Sequence, residues 1–521
     1  MQLLLDLPEV NPELAKAVET NPKRLKDWLI GLPASDVIEC GRFIFDALAS
    51  LNRIELGVDE RVALLSEYET MLDVLAGGFE ATYASAGLPM KDRARQAALL
   101  YRNLWLEMSM GWKVALVNRM EKRGLFSSGK VEPFFVQRVL YCYWRFFRIN
   151  CRLFMPMPKG IWSEAHQMFR LGAENKFLDE PTEPKNRSIA TIYKRLLLLS
   201  LADPLRFAPL EQDKVVDIVE NYGHLAHFQP LSKLLNTAGY FLVELDSDKA
   251  PYFVGNRTSD LPTPVAILLE TGELSRHLHK TEAAIEAKTP LAHDRARVLA
   301  RLQILRRAMR QWAISPQRTY QRIASQTLVD IAFGIRSVVT QLNDGKMMVS
   351  PQTAPDLDEN QETPAPEGRL REVLLSKWQV LNESPGGYAV RSLAIADEQV
   401  RAGDIVALRA FPEAAWMIAS VRWLQQDEEN CIEMGLQVLS SRAVPALVRP
   451  TIATEGQHYL PALLLPEISI LKQPARIAAT KGTYTPLREL SILTPDGERK
   501  VRATRLIEQQ MSYDLFDFQA S

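Results

Sequence analysis

Two short clusters hold the residues whose types and spacing could do chemistry. The first is Asn382, Ser384, Gly386 and Gly387 in the stretch LNESPGGYAV. It offers an amide, a hydroxyl and two backbone positions with no Cβ, where another group can approach closely. A hairpin needs only two to five such residues, so the stretch is either a turn or a ligand surface. The second cluster is Arg318 and Arg322, four residues apart in SPQRTYQRIASQ. A guanidinium is a flat fork that binds two acceptors at once and stacks on planar rings. Taken singly, neither cluster decides anything. N-x-S-x-x-G arises by chance in roughly one chain in five of this length, and R-x-x-x-R about once or twice per chain. Their bland readings are an Asx-type turn and the solvated end of a basic helix.

Different kinds of element must position the two clusters. The first three hundred residues have helical periodicity. After Pro33, Ser35 is placed to cap a helix with the stripe Val37, Cys40, Ile44, Leu48 and Leu51. Leu64, Tyr68, Met71 and Leu75 repeat the spacing, and GIWSEAHQMFRLGAENKFLD with SIATIYKRLLLLSLADP reads as a helix pair. Short strands, GYFLVEL and PVAILLE, interrupt the helices between about 240 and 275. The basic run 295–310 has a core side in Leu302, Ile304, Leu305 and Met309, so its charges read as a solvated helix face. From about 316 the period becomes two, in SQTLVDIAF, KWQVL, YAVRSL, GDIVALRA, AWMIASVRWL and IEMGLQVLS. Strands this short, with turn signals between them, predict a small antiparallel barrel. An acidic, Pro-rich stretch at 344–368 reads as a flexible insertion, and TPDGER as a hairpin turn near the end.

The expected fold class is therefore multidomain α + β. Residues 1–311 form an all-α scaffold, 312–445 a barrel interrupted at 344–368, and 446–521 a β-rich extension.

Composition narrows the function. The chain has 521 residues and a formal net charge of -1, which argues against an electrostatic nucleic-acid binder. Its four cysteines lack C-x-x-C spacing, which fits a reducing cytoplasm and speaks against a thiolate zinc site. His277 and His279 lie two apart with no further ligands beside them, so no metal is expected. The most apolar window, RVLYCYWRFFRINCRLFMPMP, is broken by arginines and reads as a buried helix, with no insertion into a membrane. HExxH, GxSxG, GxxxxGK[ST] and GxGxxG are absent in suitable context, so no enzyme is predicted.

In order and together, the two clusters resemble the PilZ domain, the bacterial receptor module for cyclic di-GMP. That pattern runs from R-x-x-x-R into a strand, then D/N-x-S-x-x-G between strands. Gly403-Asp404, Val421-Arg422-Trp423 and Gly435 continue it, so the resemblance covers about 316–445. Between Arg322 and Asn382 lie 59 residues, more than the family usually places there; a long loop costs only slowly growing closure entropy. The resemblance implies that Arg318, Arg322, Asn382, Ser384, Gly386 and Gly387 bind cyclic di-GMP, with no other cofactor. It implies a cytoplasmic signalling effector of motility, pili or biofilm, acting on a protein partner through its helical region. The alternative is an interaction adaptor whose PilZ-like barrel has lost the ligand.

Overall fold

The computed structural model describes the chain except residues 1–2, 85–86, 122–131, 183–186, 232–233, 235, 257–264, 288–291, 314–319, 349–374, 395–398, 453–457, 468–472 and 521. The helical region opens with α1 (Pro22–Ile30), α2 (Val37–Asn52), α3 (Val58–Tyr83) and α4 (Asp92–Glu121). It continues through α5 (Pro133–Arg152), α6 (Ile161–Glu174), α7 (Ile189–Leu201) and α8 (Pro209–Tyr222). The stripes read from the sequence on α2 and α3 are buried as expected. The cap of α2 is Asp36, not Ser35: its Oδ1 accepts from the Ile38 and Glu39 N–H groups at 3.1 and 3.3 Å. A carboxylate directly before the first helical residue satisfies two orphan donors and complements the helix dipole.

The arginine-broken apolar window is α5, an aromatic helix sunk in the core. Arg145 stacks 4.5 Å over Trp105 and pairs with Asp73 at 3.2 Å. Lys113 and Glu164, both nearly fully buried, pair at 2.9 Å nearby. Among the described residues no helix is long and apolar enough to cross a membrane.

The two interrupting strands belong to a four-stranded antiparallel sheet, of which the sequence showed only half. Its strands are β1 (His227–Pro230), β2 (Tyr240–Glu244), β3 (Tyr252–Phe253) and β4 (Ala266–Glu270), in the order β1-β4-β2-β3. Two helices follow, α9 (Gly272–Ala287) and the basic α10 (Ala292–Ala313). Leu302, Ile304, Leu305 and Met309 of α10 are buried as expected. Its end is pinned. Trp312 is fully buried, its Nε1 donates to the Leu198 carbonyl at 2.9 Å, and its own carbonyl accepts from Thr271 Oγ1 at 2.6 Å. The Ala313 carbonyl accepts from Gly239 N at 2.7 Å.

The middle barrel comprises β5 (Ile323–Ala324), β6 (Leu328–Phe333), α11 (Ile335–Leu342), β7 (Ser376–Ser384), β8 (Gly387–Ser392), β9 (Ile405–Arg409), β10 (Met417–Gln426) and β11 (Ile432–Ser440). The sheet runs β5-β7-β6-β9-β10-β11-β8, and pairing of β7 with β8 closes it. The last barrel is closed and six-stranded, from β12 (Val444–Pro450), β13 (Leu460–Leu465), β14 (Arg476–Thr480), β15 (Glu489–Thr494), β16 (Gly497–Gln509) and β17 (Tyr513–Ala520). The TPDGER turn joins β15 to β16, with Thr494 opposite Gly497.

Helix α11 was invisible in the sequence, because Ile335, Val338, Val339 and Thr340 favour strands locally. Tertiary packing overrides that preference: Val338 and Val339 join a core shared with Leu463, Leu465, Tyr513 and Leu515 of the last barrel. Of the stretch 344–368 expected to be a flexible insertion, 349–368 lies outside the described residues. Gly345 N donates to the Thr340 carbonyl at 2.9 Å and Met348 packs on the same core, so residues 344–348 belong to the folded unit.

Candidate ligand-binding site

The stretch that opened the question is a two-residue hairpin turn, Pro385-Gly386, with Ser384 opposite Gly387. Ser384 Oγ donates to the Gly387 carbonyl at 3.3 Å, so the turn is held by the serine and not by an Asx bond. A β-bulge lies between Val380 and Asn382. Strict alternation would put Asn382 on the core face with buried Trp378 and Val380; the bulge breaks it and re-aims the side chain. Asn382 is accordingly half-buried, and its amide has no hydrogen-bond partner among the described residues.

Neither glycine has a left-handed φ, so turn geometry does not explain them. Space does. A Cβ on Gly387 would sit 2.0 Å from the Leu436 carbonyl oxygen of β11. The close pairing of β8 with β11 therefore requires a glycine at 387, apart from the ligand approach that the sequence suggests for it. A Cβ on Gly386 would meet the Tyr320 ring at 3.3 Å.

Tyr320 shows where the arginine segment goes. Strand β5 pairs with β7 in the register Ile323 to Glu383 and Ala324 to Asn382. Continued by two residues at a time, that register sets Arg322 across from Ser384 and Tyr320 across from Gly386, where its ring is found. Paired antiparallel residues lie roughly 4.5–5.5 Å apart at Cα. The structure therefore brings Arg322, Asn382, Ser384 and Gly386 onto one hairpin end. Arg322 is exposed and makes no ion pair or hydrogen bond among the described residues. Arg318 lies outside the described residues. Tyr320 was missed in the sequence although it stands midway between the arginines, at the spacing that shares a strand face with both.

The remaining pieces of the pattern are structural. Trp423 lies over Gly435, whose Cβ would fall 1.9 Å from the indole nitrogen. Gly403 has φ +89° and carries Asp404, which accepts from Arg401 N at 2.8 Å. Burial pushes the Asp404 carboxyl up, against the Arg401 N–H and Ser512. Ser512 Oγ donates to the Gly403 carbonyl at 2.9 Å, tying this turn to the last barrel. Arg422 leaves β10 at a bulge, donates to Gln437 Oε1 at 2.7 Å, and forks onto Glu508 of β16. Burial works against the charged Glu508, yet the Arg422 hydrogen bond and charge outweigh it and hold that carboxyl below its usual range.

His277 and His279 do not converge: one ring packs on Tyr222 and the other faces Glu282 at 3.4 Å. Asp427, Glu429 and Cys431 come within 4.8 Å of one another, a grouping not foreseen, but Asp427 is already engaged by Arg391 and the Cys431 N–H.

Comparison with known proteins agrees with this architecture. Residues 23–232 match the N-terminal domain of the cyclic-di-GMP receptor FimW, 339–445 its middle PilZ domain, and 446–521 its C-terminal beta-barrel domain. The PilZ match contains Asn382, Ser384, Gly386 and Gly387 and begins after Arg318 and Arg322. The cyclic-di-GMP receptor FimW of Pseudomonas aeruginosa is 22% identical over 583 aligned residues, spanning 100% of this chain and 94% of that protein. With three domains of one family matched in order, and a closed barrel where the PilZ domain is matched, the chain belongs to the PilZ-containing FimW family.

Proposed function

We propose that this protein is a cytoplasmic, non-catalytic effector that binds cyclic di-GMP at the β7–β8 hairpin and signals through its helical region. The observation that supports the reading is the pairing of Ile323 and Ala324 with Glu383 and Asn382, with the Tyr320 ring beside Gly386. Cyclic di-GMP presents two phosphates and guanine edges whose O6 and N7 accept a guanidinium fork. Arg322, with Arg318 four residues upstream, supplies that fork; Asn382 and Ser384 supply an amide and a hydroxyl beside it. The Arg322 and Asn382 side chains have no protein partners among the described residues, so folding alone gives no reason for them. A barrel kept only as an adaptor would have no use for the set. The relative from Pseudomonas aeruginosa is named as a cyclic-di-GMP receptor, which supports the same ligand here. The pathway is of the kind such effectors serve, motility, pili or biofilm, through a protein partner of the helices.

Calorimetric titration of the purified chain tests the reading. Each charge-assisted hydrogen bond contributes about 1.5–3 kcal/mol, so Arg318→Ala or Arg322→Ala weakens binding by roughly ten- to a hundredfold. GTP and linear dinucleotides bind far less. Affinity unchanged in the double variant removes these arginines from the site, and no binding by the wild type leaves the adaptor.

A further inference from the structure

The hairpin is not the only polar surface at the hand-over from helices to barrels. A cavity of about 550 Å³ lies where the helical region, the middle barrel and the last barrel meet. Its wall includes Arg206, Arg307, Arg310, Arg422 and Gln437, with Glu508 as the one lining carboxylate among the described residues. Small-molecule sites span roughly 300–1,000 Å³, so the space suits a nucleotide-sized occupant.

Most of that positive charge is already balanced. Arg206 pairs with Asp203, Arg307 with Glu211 at 2.9 Å, and Arg422 with Glu508. Arg310 is the exception, exposed and without a partner among the described residues. An anion lodged in the cavity supplies the counter-charge that Arg310 lacks.

The cavity adjoins the hairpin directly. Gln437 is paired with Gly387 across the β8–β11 ladder, and Val438 N donates to the Gly386 carbonyl at 3.1 Å. Neighbouring strands are about 4.8 Å apart, so the turn and the cavity wall are one strand removed. Arg310 approaches from the other side, on the last turn of α10, just before the arginine segment.

We infer that the ligand site extends from the hairpin into this three-way cavity, with Arg310 contacting the half of cyclic di-GMP that the hairpin does not hold. The inference rests on the reading above and deepens it: the ligand then bridges α10, the middle barrel and the last barrel. Ligand occupancy is thereby coupled to how the helical region is held against the barrels.

The test is titration of the full chain with cyclic di-GMP, comparing Arg310→Ala, Arg322→Ala and Arg301→Ala. Arg301 is an exposed arginine of the same helix that does not line the cavity, so it controls for loss of charge. Arg310→Ala is expected to weaken binding about tenfold or more, the loss of one charge-assisted contact, with Arg301→Ala near wild type. Arg310 makes no internal contact to lose, and unchanged melting of the variant verifies its fold. Wild-type affinity in Arg310→Ala beside a weakened Arg322→Ala overturns the extension and keeps the hairpin site. Equal weakening by Arg310→Ala and Arg301→Ala means long-range attraction only, and also overturns it. Absence of binding by the wild type overturns the parent reading and this inference together.

Discussion

Replacing Gly387 by alanine probes the hairpin at its tightest point. The added Cβ would lie 2.0 Å from the Leu436 carbonyl oxygen, whereas real Cβ contacts stay above 3.0 Å. Strand β8 must therefore retreat from β11 by about 1 Å. The neighbouring hydrogen bond from Val438 N to the Gly386 carbonyl, now 3.1 Å, stretches past any useful length. Overpacking costs about 1–3 kcal/mol and each ladder bond lost a further 0.5–1.5 kcal/mol, giving roughly 2–4 kcal/mol in all. For a domain of about 100 residues, 1 kcal/mol moves the melting temperature by roughly 4 °C or more. Differential scanning calorimetry of the full chain should show the middle barrel's transition falling by roughly 10 °C, resolved from the others because a multidomain chain need not unfold in one step. Cyclic di-GMP affinity should fall with it, since β8 is paired with β7, which carries Asn382 and Ser384. A Gly387→Ala variant that melts and binds like wild type would refute the close β8–β11 approach and the reason offered for this glycine.

Gly386→Ala asks a gentler question: its Cβ meets the Tyr320 ring at 3.3 Å, so melting should hardly change while cyclic di-GMP affinity drops as the arginine segment is nudged away. Unchanged affinity by titration would detach Tyr320 from ligand binding. Glu508 sits below the usual carboxylate range, so its stabilisation of the junction is fully present above the ordinary glutamate range and is lost as pH falls through its lower folded value. Melting curves from pH 7 to pH 3 should accordingly be flatter for Glu508→Gln than for wild type; parallel curves would contradict the pairing with Arg422. A Gly/Ser linker in place of 349–368 should leave melting intact, whereas removal from 344 onward also strips Met348 from its core and should lower it. Hydrogen exchange with and without cyclic di-GMP should show new protection at 314–322 but not at Trp312, which is already buried and hydrogen-bonded; protection confined to 382–388 would exclude coupling to α10.

Periodicity made much of this molecule legible in its sequence. The 3-4-4-3 stripe of α2 and the buried face of α10 follow from one-sided burial of a helix, which leaves a local signature. The alternation around Trp378, Val380 and Val390 announced barrel strands for the same reason, and the joint Arg and Asn/Ser/Gly pattern located the candidate site within them. What stayed hidden depends on partners distant in the chain. Helix α11 is helical because the last barrel offers Leu463 and Leu465 to cover Val338 and Val339, against their local preference. Gly387 is glycine because of a carbonyl three strands further along the chain, at Leu436 of β11, and Gly435 because of the Trp423 indole. Tyr320 and Arg310 gained meaning only once the chain brought α10, the hairpin and β16 together. A sequence records which face of each element is apolar; which surface meets that face, and how closely two backbones pass, is settled only when all the elements pack at once.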